Sequence, residues 1–186
     1  MKESNHTCPV WIGRLMISPL RKFYHRPENI LSEYILPGSS ILEIGPGMGF
    51  FSIPMACMTG MGGKVYCVDI QQGMLEVLNH RAEKAGLNTI VQTIQSTPDS
   101  FSIEQLKEKI DFCLLFAVVH EIPQQALIFG EVYRALKPGG KVFLAEPRGH
   151  VKEKEWNNSL ELAIACGFSV TTTRQVKGSY ACVLMK

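Results

Sequence analysis

Apolar residues gather along the chain in short blocks, separated by stretches with helical spacing. Five blocks rich in β-branched residues recur: 40–45 (SILEIG), 64–69 (KVYCVD), 89–94 (TIVQTI), 111–117 (DFCLLFA) and 141–146 (KVFLAE). Each is nearly all apolar or ends in a polar residue. A strand covered on both faces of a parallel sheet needs this pattern, because neither of its faces meets water. Between the blocks, residues 72–85 place Met74, Leu75, Leu78, Ala82 and Ala85 three or four apart, and Gly86 follows as a stop. Residues 124–136 do the same with Leu127, Ile128, Val132 and Leu136, and Pro138-Gly139-Gly140 ends the run. Alternation of this kind predicts an α/β domain with right-handed crossovers.

The two ends differ from the middle. A helix starting on a proline is expected over 27–36, and a second over 152–166 with Gly167 closing it. Residues 168–174 and 180–185 read as two strands joined by 175–179, a hairpin-length connection. The expected fold is therefore a single Rossmann-like, doubly wound α/β domain. Its seven-stranded sheet would be mostly parallel with an antiparallel C-terminal hairpin, with helices on both faces. Residues 1–36 would form an N-terminal helical cap or lid of that same domain, and 37–186 its body. Trp11, Leu15, Met16, Leu20 and Phe23 make an apolar stripe that suits either core packing or a lid.

Length and composition narrow the function. A chain of 186 residues, 46% hydrophobic and 19% charged, suits one ordinary domain and excludes disorder. A net charge of +2 gives no electrostatic case for nucleic acid or an anionic membrane as the main partner. No apolar run approaches the ~18–20 residues that span a bilayer, and the first seven residues lack a secretory stretch. A cytoplasmic setting is the expectation. The cysteines at 8, 57, 67, 113, 166 and 182 form no C-x-x-C pair. Five of them fall in helix or strand and read as small buried thiols, with Cys8 on a loop.

The richest chemistry lies in Glu43-Ile-Gly45-Pro-Gly47-Met-Gly49-Phe50, after the first strand and before a helix. Glycine serves where a chain turns sharply or where backbone must approach a ligand closely. Free N–H groups at the start of the next helix can face a polar ligand. A dinucleotide loop of the G-x-G-x-x-G kind needs glycine at position 50, which is Phe. Twenty residues after Gly49 the second strand ends in Asp69, a carboxylate able to accept both hydroxyls of a ribose.

With these residues the sequence resembles the class I S-adenosylmethionine-dependent methyltransferases. The likeness runs over residues 40–146 through the E-x-G-x-G-x-G loop, Val68-Asp69-Ile70, 116–122 (FAVVHEI) and 136–142 (LKPGGKV). The C-terminal hairpin also resembles the family's ending. The resemblance implies S-adenosylmethionine as cofactor and residues 37–186 as the domain that binds it. It implies that the Gly45, Gly47 and Gly49 backbone faces the methionine part, with Glu43 ordering the loop and the amino group. Asp69 would hold the ribose, Ile70 would pack on the adenine face, and Phe116 would border the reaction centre. The family often carries an acid after the third strand for the adenine amino group. This chain has Ser96-Thr97 there, with Asp99 or a backbone carbonyl as substitutes.

Bland readings stand beside these. Glu43 can be a structural acid capping backbone. His120, after the fourth strand, is the candidate general base for a small or medium acceptor, or else a histidine bonded to backbone. Tyr133 and Lys137 match Y-x-x-x-K of short-chain dehydrogenases, but at the end of a helix before the fifth strand, where surface is the better reading. His6, Cys8 and His25 lack a fourth metal ligand at a usual spacing, so no metal is expected. Related methyltransferases act on arsenic, which calls for several exposed thiols, and only Cys8 reads as exposed. The alternatives to methyl transfer are a nicotinamide-dependent oxidoreductase and a non-catalytic cofactor-binding module. The oligomeric state is not legible.

Overall fold

The structure, a computed structural model, describes residues 26–186. The stripe from Trp11 to Phe23 and the candidates His6, Cys8 and His25 lie outside them. Seven strands form one sheet in the order β3-β2-β1-β4-β5-β7-β6. They are β1 (Ser40–Ile44), β2 (Lys64–Asp69), β3 (Val91–Gln95), β4 (Ile110–Phe116), β5 (Leu136–Pro147), β6 (Ser169–Thr173) and β7 (Ser179–Met185). The first five pair in parallel, and β7 enters antiparallel between β5 and β6. The expected architecture is therefore the observed one.

Helices cover both faces. Among the described residues they are α1 (Pro27–Leu31), α2 (Ser52–Thr59), α3 (Gln72–Lys84), α4 (Gln125–Ala135) and α5 (Glu153–Ala165). Alternate strand residues explain the two layers. Ile41, Val65, Cys67, Phe112, Leu114 and Phe143 pack with Leu31, Phe51, Met55 and Leu78 on one face. Leu42, Val68, Cys113, Leu115, Val142 and Leu144 pack with Ile128, Phe129 and Val132 on the other. Both faces of the central strands are thus buried, which is why these strands read as unbroken apolar blocks.

Two boundaries and the burial of the thiols differ from expectation. The first helix ends at Leu31, short of the expected 36: residues 32–34 form a turn, and the chain is already outside the helix when it reaches Pro37 and Gly38, at φ +85°. Leu31 is fully buried and Tyr34 stacks on Phe112 at 5.5 Å, so residues 26–36 are anchored to the sheet. The Leu136–Gly140 stretch opens β5, with Leu136 paired to Ile110, a bend at Gly139 (φ +77°) and a register shift before Phe112 pairs with Lys141. Cys57 is exposed and Cys166 half-exposed, whereas Cys67, Cys113 and Cys182 are buried. The thiol expectation fails at Cys57 because α2 is apolar on both sides, so its sequence does not mark the outer face.

The end of the sheet where the parallel strands begin is tied by side chains. Asp111 accepts the Ser40 N–H at 2.8 Å and the Lys137 ammonium at 2.5 Å. Tyr133 meets Phe168 edge-on at 5.1 Å. The Y-x-x-x-K pair is therefore not the helical surface expected: Tyr133 is half-buried against the core, and Lys137 lies in β5, paired with Asp111.

Phe112 tests the packing account. It is 1% exposed, lies in the central β4 and carries the stacked Tyr34. Phe112→Ala is expected to cost about 3–5 kcal/mol in urea denaturation. A loss below ~1 kcal/mol contradicts a close-packed face at this point.

Candidate active site

The opposite end of the sheet, where β1, β2 and β4 finish, gathers the sequence candidates. Register places Ile44 beside Val68 and Leu115, so the chain leaves these three strands at one level. Crevices of α/β sheets open at such carboxyl ends.

The glycine loop is held from several sides. Gly45, Gly47 and Gly49 all take positive φ, at +68°, +53° and +82°, a region that side chains rarely adopt. Their surroundings differ. A methyl group on Gly45 would lie 2.5 Å from Val118 Cγ2, and one on Gly49 would collide with Leu78 of α3. One on Gly47 would meet nothing within 4 Å. Packing demands glycine at 45 and 49, while Gly47 alone looks onto open space. The Arg81 guanidinium of α3 also donates to the Met48 carbonyl, and the Gly45 N–H donates to Val68 O at 2.9 Å.

Glu43, 3% exposed on β1, receives the Ser52 hydroxyl at 2.5 Å in the first turn of α2. It thereby joins the strand before the loop to the helix after it. Burial of the Cys67 and Cys113 thiols, and then the Glu43 charge, push both well up. Burial also lifts Cys182 to about 12. These three thiols therefore stay neutral.

Asp69 ends β2. Its Oδ1 accepts the Gln71 N–H at 2.9 Å, and the Gly47 and Ile70 N–H groups also favour its charged form. Burial outweighs them and raises its pKa above 3.8. Ile70 beside it is 40% exposed. Ser96, 7% exposed, donates its N–H to Asp69 O at 3.0 Å. Thr97 closes a turn on Ser100 O at 2.9 Å, and Asp99 points to solvent as an exposed residue of that turn. The structure thus brings Gly47, Asp69, Ile70 and Ser96 together.

Beyond β4 the chain turns sharply. Phe116 packs against Phe51 at 4.6 Å, and Ala117 then adopts φ +56°, strained for a residue with a Cβ. A short 3₁₀ turn, Val119–Glu121, carries His120. Glu146, 2% exposed near the end of β5, holds this turn. Its Oε1 accepts the Val118 and Val119 N–H groups at 3.1 and 2.8 Å, and its Oε2 bonds His120 Nδ1. That bond raises the His120 pKa above 6.5 against the opposing effect of burial, helped by Glu121 and Glu155. His150 meets the His120 ring edge-on at 5.8 Å. Burial raises Glu121, which also feels Asp69.

Sequence reading missed Glu146, Ser52, Arg81 and His150. A polar residue ending an apolar strand looks like an ordinary strand terminus, and the partners of Glu146 lie 26 to 28 positions away. Among the described residues no cluster of His, Cys, Asp and Glu is built to hold a metal ion. No described helix is long and apolar enough to cross a membrane.

Comparisons with known proteins bear on this geometry. A family model described as a methyltransferase domain matches residues 35–180. The arsenite methyltransferase of Aquipseudomonas alcaligenes is 25% identical over 146 residues, 75% of this chain and 42% of that protein. A demethylmenaquinone methyltransferase of Bacillus mycoides is 28% identical over 121 residues, 65% of this chain and 50% of that protein. The chain thus spans about half the length of these curated relatives. A methyltransferase structure from Aquifex aeolicus described as S-adenosylmethionine-dependent shares the fold at TM-score 0.85 and 22% identity, covering 96% of this chain and 99% of that one.

Gly47→Val finds open space for its side chain but puts a β-branched residue at φ +53°, so it is expected to lower the melting temperature while leaving circular dichroism native, and to abolish binding of S-adenosylmethionine in calorimetry. Unchanged affinity contradicts the cradle. Asp69→Asn is expected to weaken that binding by about 1.5–3 kcal/mol. The same change removes a buried charge whose ionised form opposes folding, so the melting temperature of the ligand-free protein should hold or rise. A falling melting temperature with intact affinity reverses the assignment.

Proposed function

The chain belongs to the methyltransferase-domain family of class I S-adenosylmethionine-dependent proteins, and from that premise we propose that it transfers a methyl group to an O–H or N–H acceptor of small or medium size. The observation that carries the acceptor chemistry is His120, held through Nδ1 by buried Glu146 at the mouth of β4. A cradle around Gly47 with a carboxylate at Asp69 fits the cofactor, which supplies an activated methyl on a sulfonium. In this assignment the backbone at Gly45, Gly47 and Gly49 faces the methionine part, with Glu43 and Ser52 keeping the loop in place. Asp69 accepts the ribose hydroxyls, Ile70 covers the adenine face, and Ser96 and Thr97 border the adenine edge. Phe116 walls the reaction centre.

Because the methyl is already activated, positioning does most of the work. What remains is the acceptor's proton. With Nδ1–H held by Glu146, the lone pair of His120 lies on Nε2 and can take that proton as the acceptor atom bonds carbon. His120 must be neutral to do so. Glu146 makes this harder at low pH, and in return the imidazolium formed after transfer is stabilised.

The relatives offer first acceptors to try, arsenite and demethylmenaquinone. Arsenite fits poorly with the described thiols: Cys67, Cys113 and Cys182 are buried and neutral, and none of the described cysteines lies on the turns after β4 or β5. A hydroxyl acceptor suits His120 better. Family membership sets the nicotinamide alternative aside, and a methyl-transfer assay separates the enzyme from a non-catalytic module.

The test is release of S-adenosylhomocysteine over a panel holding arsenite, demethylmenaquinone in its reduced form, catechol and a primary arylamine. With a hydroxyl or amine acceptor, His120→Ala is expected to cut turnover by ~10²–10⁴ and leave cofactor affinity nearly unchanged. Wild-type turnover should rise with pH through a midpoint above 6.5, since Glu146 raises the histidine. The stabilising contribution of the pair has the opposite sign: present in full below 6.5, it fades as pH rises through the folded value. A folded variant with wild-type turnover on an O–H or N–H acceptor removes His120 from the chemistry, and transfer only to arsenite or to a ring carbon of the quinol replaces the acceptor class.

A further inference from the structure

Glu146 stands between two sites that are otherwise separate. Its Oε1 receives two consecutive backbone N–H groups, Val118 and Val119. These bonds, with the Ala117 N–H on Ala145 O at 2.7 Å, hold the left-handed turn after β4. Val118 carried by that turn backs Gly45, where a single methyl would already be 2.5 Å from it. The first residue of the glycine loop is therefore seated against a side chain whose position a carboxylate sets. The other oxygen, Oε2, engages His120 Nδ1.

We propose that Glu146 is a positioning residue for both halves of the reaction, with Oε1 seating the cofactor loop through Val118 and Oε2 fixing the orientation and tautomer of His120. The Oε2 half rests on His120 as the base; the Oε1 half needs only a cofactor at the glycine loop. The carboxylate is suited to both tasks because it has only acceptors to offer. It meets three donors, so each hydrogen bond to it also states which partner carries the proton. The groups facing His120 are Glu146 on β5, Glu121 on its own turn, Glu155 on α5 and His150 on the loop after β5. Of these only Glu146 is bonded to the ring.

Two substitutions separate the oxygens. In Glu146→Gln the amide oxygen can still take both backbone N–H groups, since the flipped amide would oppose donor to donor. The NH₂ then faces Nδ1, which must give up its proton to accept, so the ring proton moves to Nε2. In Glu146→Ala both sets of bonds are lost. The experiment is calorimetry with S-adenosylhomocysteine on both variants, paired with ¹⁵N-histidine NMR titration of His120. Glu146→Gln is expected to hold affinity within about threefold while the His120 titration moves to lower pH and the neutral ring changes tautomer. Glu146→Ala, folded by circular dichroism, is expected to lose affinity at least tenfold. Should that variant not fold, Val118→Ala decides the first half: a severalfold loss of affinity with an unchanged His120 titration supports it. Unchanged affinity in folded Glu146→Ala, or in Val118→Ala, overturns the seating of the loop. An unchanged tautomer in Glu146→Gln overturns the hold on His120. None of these readouts uses an acceptor, so they stay distinct from failure of methyl transfer itself.

Discussion

The site depends on one turn of backbone that does not stand unaided. Ala117 leaves β4 in the left-handed region, which costs an L-residue about 1–2 kcal/mol. Without its anchor that turn would relax and carry Val118 and His120 with it. Two hydrogen bonds to a carboxylate, each worth roughly 1.5–3 kcal/mol when one partner is charged, outweigh the strain. They come from Glu146, which is itself fixed in β5 opposite Tyr180 of β7. The antiparallel β7, set between β5 and β6, thus contributes to the site indirectly, by completing the support of β5.

The two ends of the sheet divide the labour. Where the parallel strands begin, the Asp111 carboxylate ties β4 to the Ser40 backbone N–H of β1 and to the Lys137 ammonium of β5. Where they finish, Glu121 feels the charges of His120, Asp69 and Glu146, and burial raises Asp69 and Glu121 against their ordinary values. Carboxylates kept in costly surroundings cluster at functional sites, which is consistent with the cofactor and acceptor roles proposed for this end of the sheet.

Much of this was legible in the sequence, for a physical reason. Strands covered on both faces cannot alternate, so β1, β2 and β4 announce themselves as apolar runs, and Asp69 and His120 stand out where the runs stop. Other features were hidden because sequence does not show who neighbours whom. Gly45, Gly47 and Gly49 look equivalent in a line, yet only Gly47 borders open space, the others being required by Val118 and Leu78. Glu146 looks like the polar end of a strand, and only the pairing of β4 with β5 brings it under His120. Cys57 misled because α2 is apolar all round. The Leu136–Gly140 stretch misled because a proline and two glycines read as a loop, whereas the segment opens β5, with Leu136 paired to Ile110 of β4 and Gly139 and Gly140 bonded to the Lys186 backbone.

The central claim is that the carboxyl ends of β1, β2 and β4 form an S-adenosylmethionine cradle. A backbone amide spectrum titrated with S-adenosylhomocysteine, and in parallel with NAD, tests it most directly. The account predicts saturable one-to-one shifts centred on Gly45–Gly49, Asp69–Gln71, Ser96 and the turn 117–119, with no response to NAD. Shifts confined to the Asp111–Lys137 end, or a response to NAD alone, would contradict it.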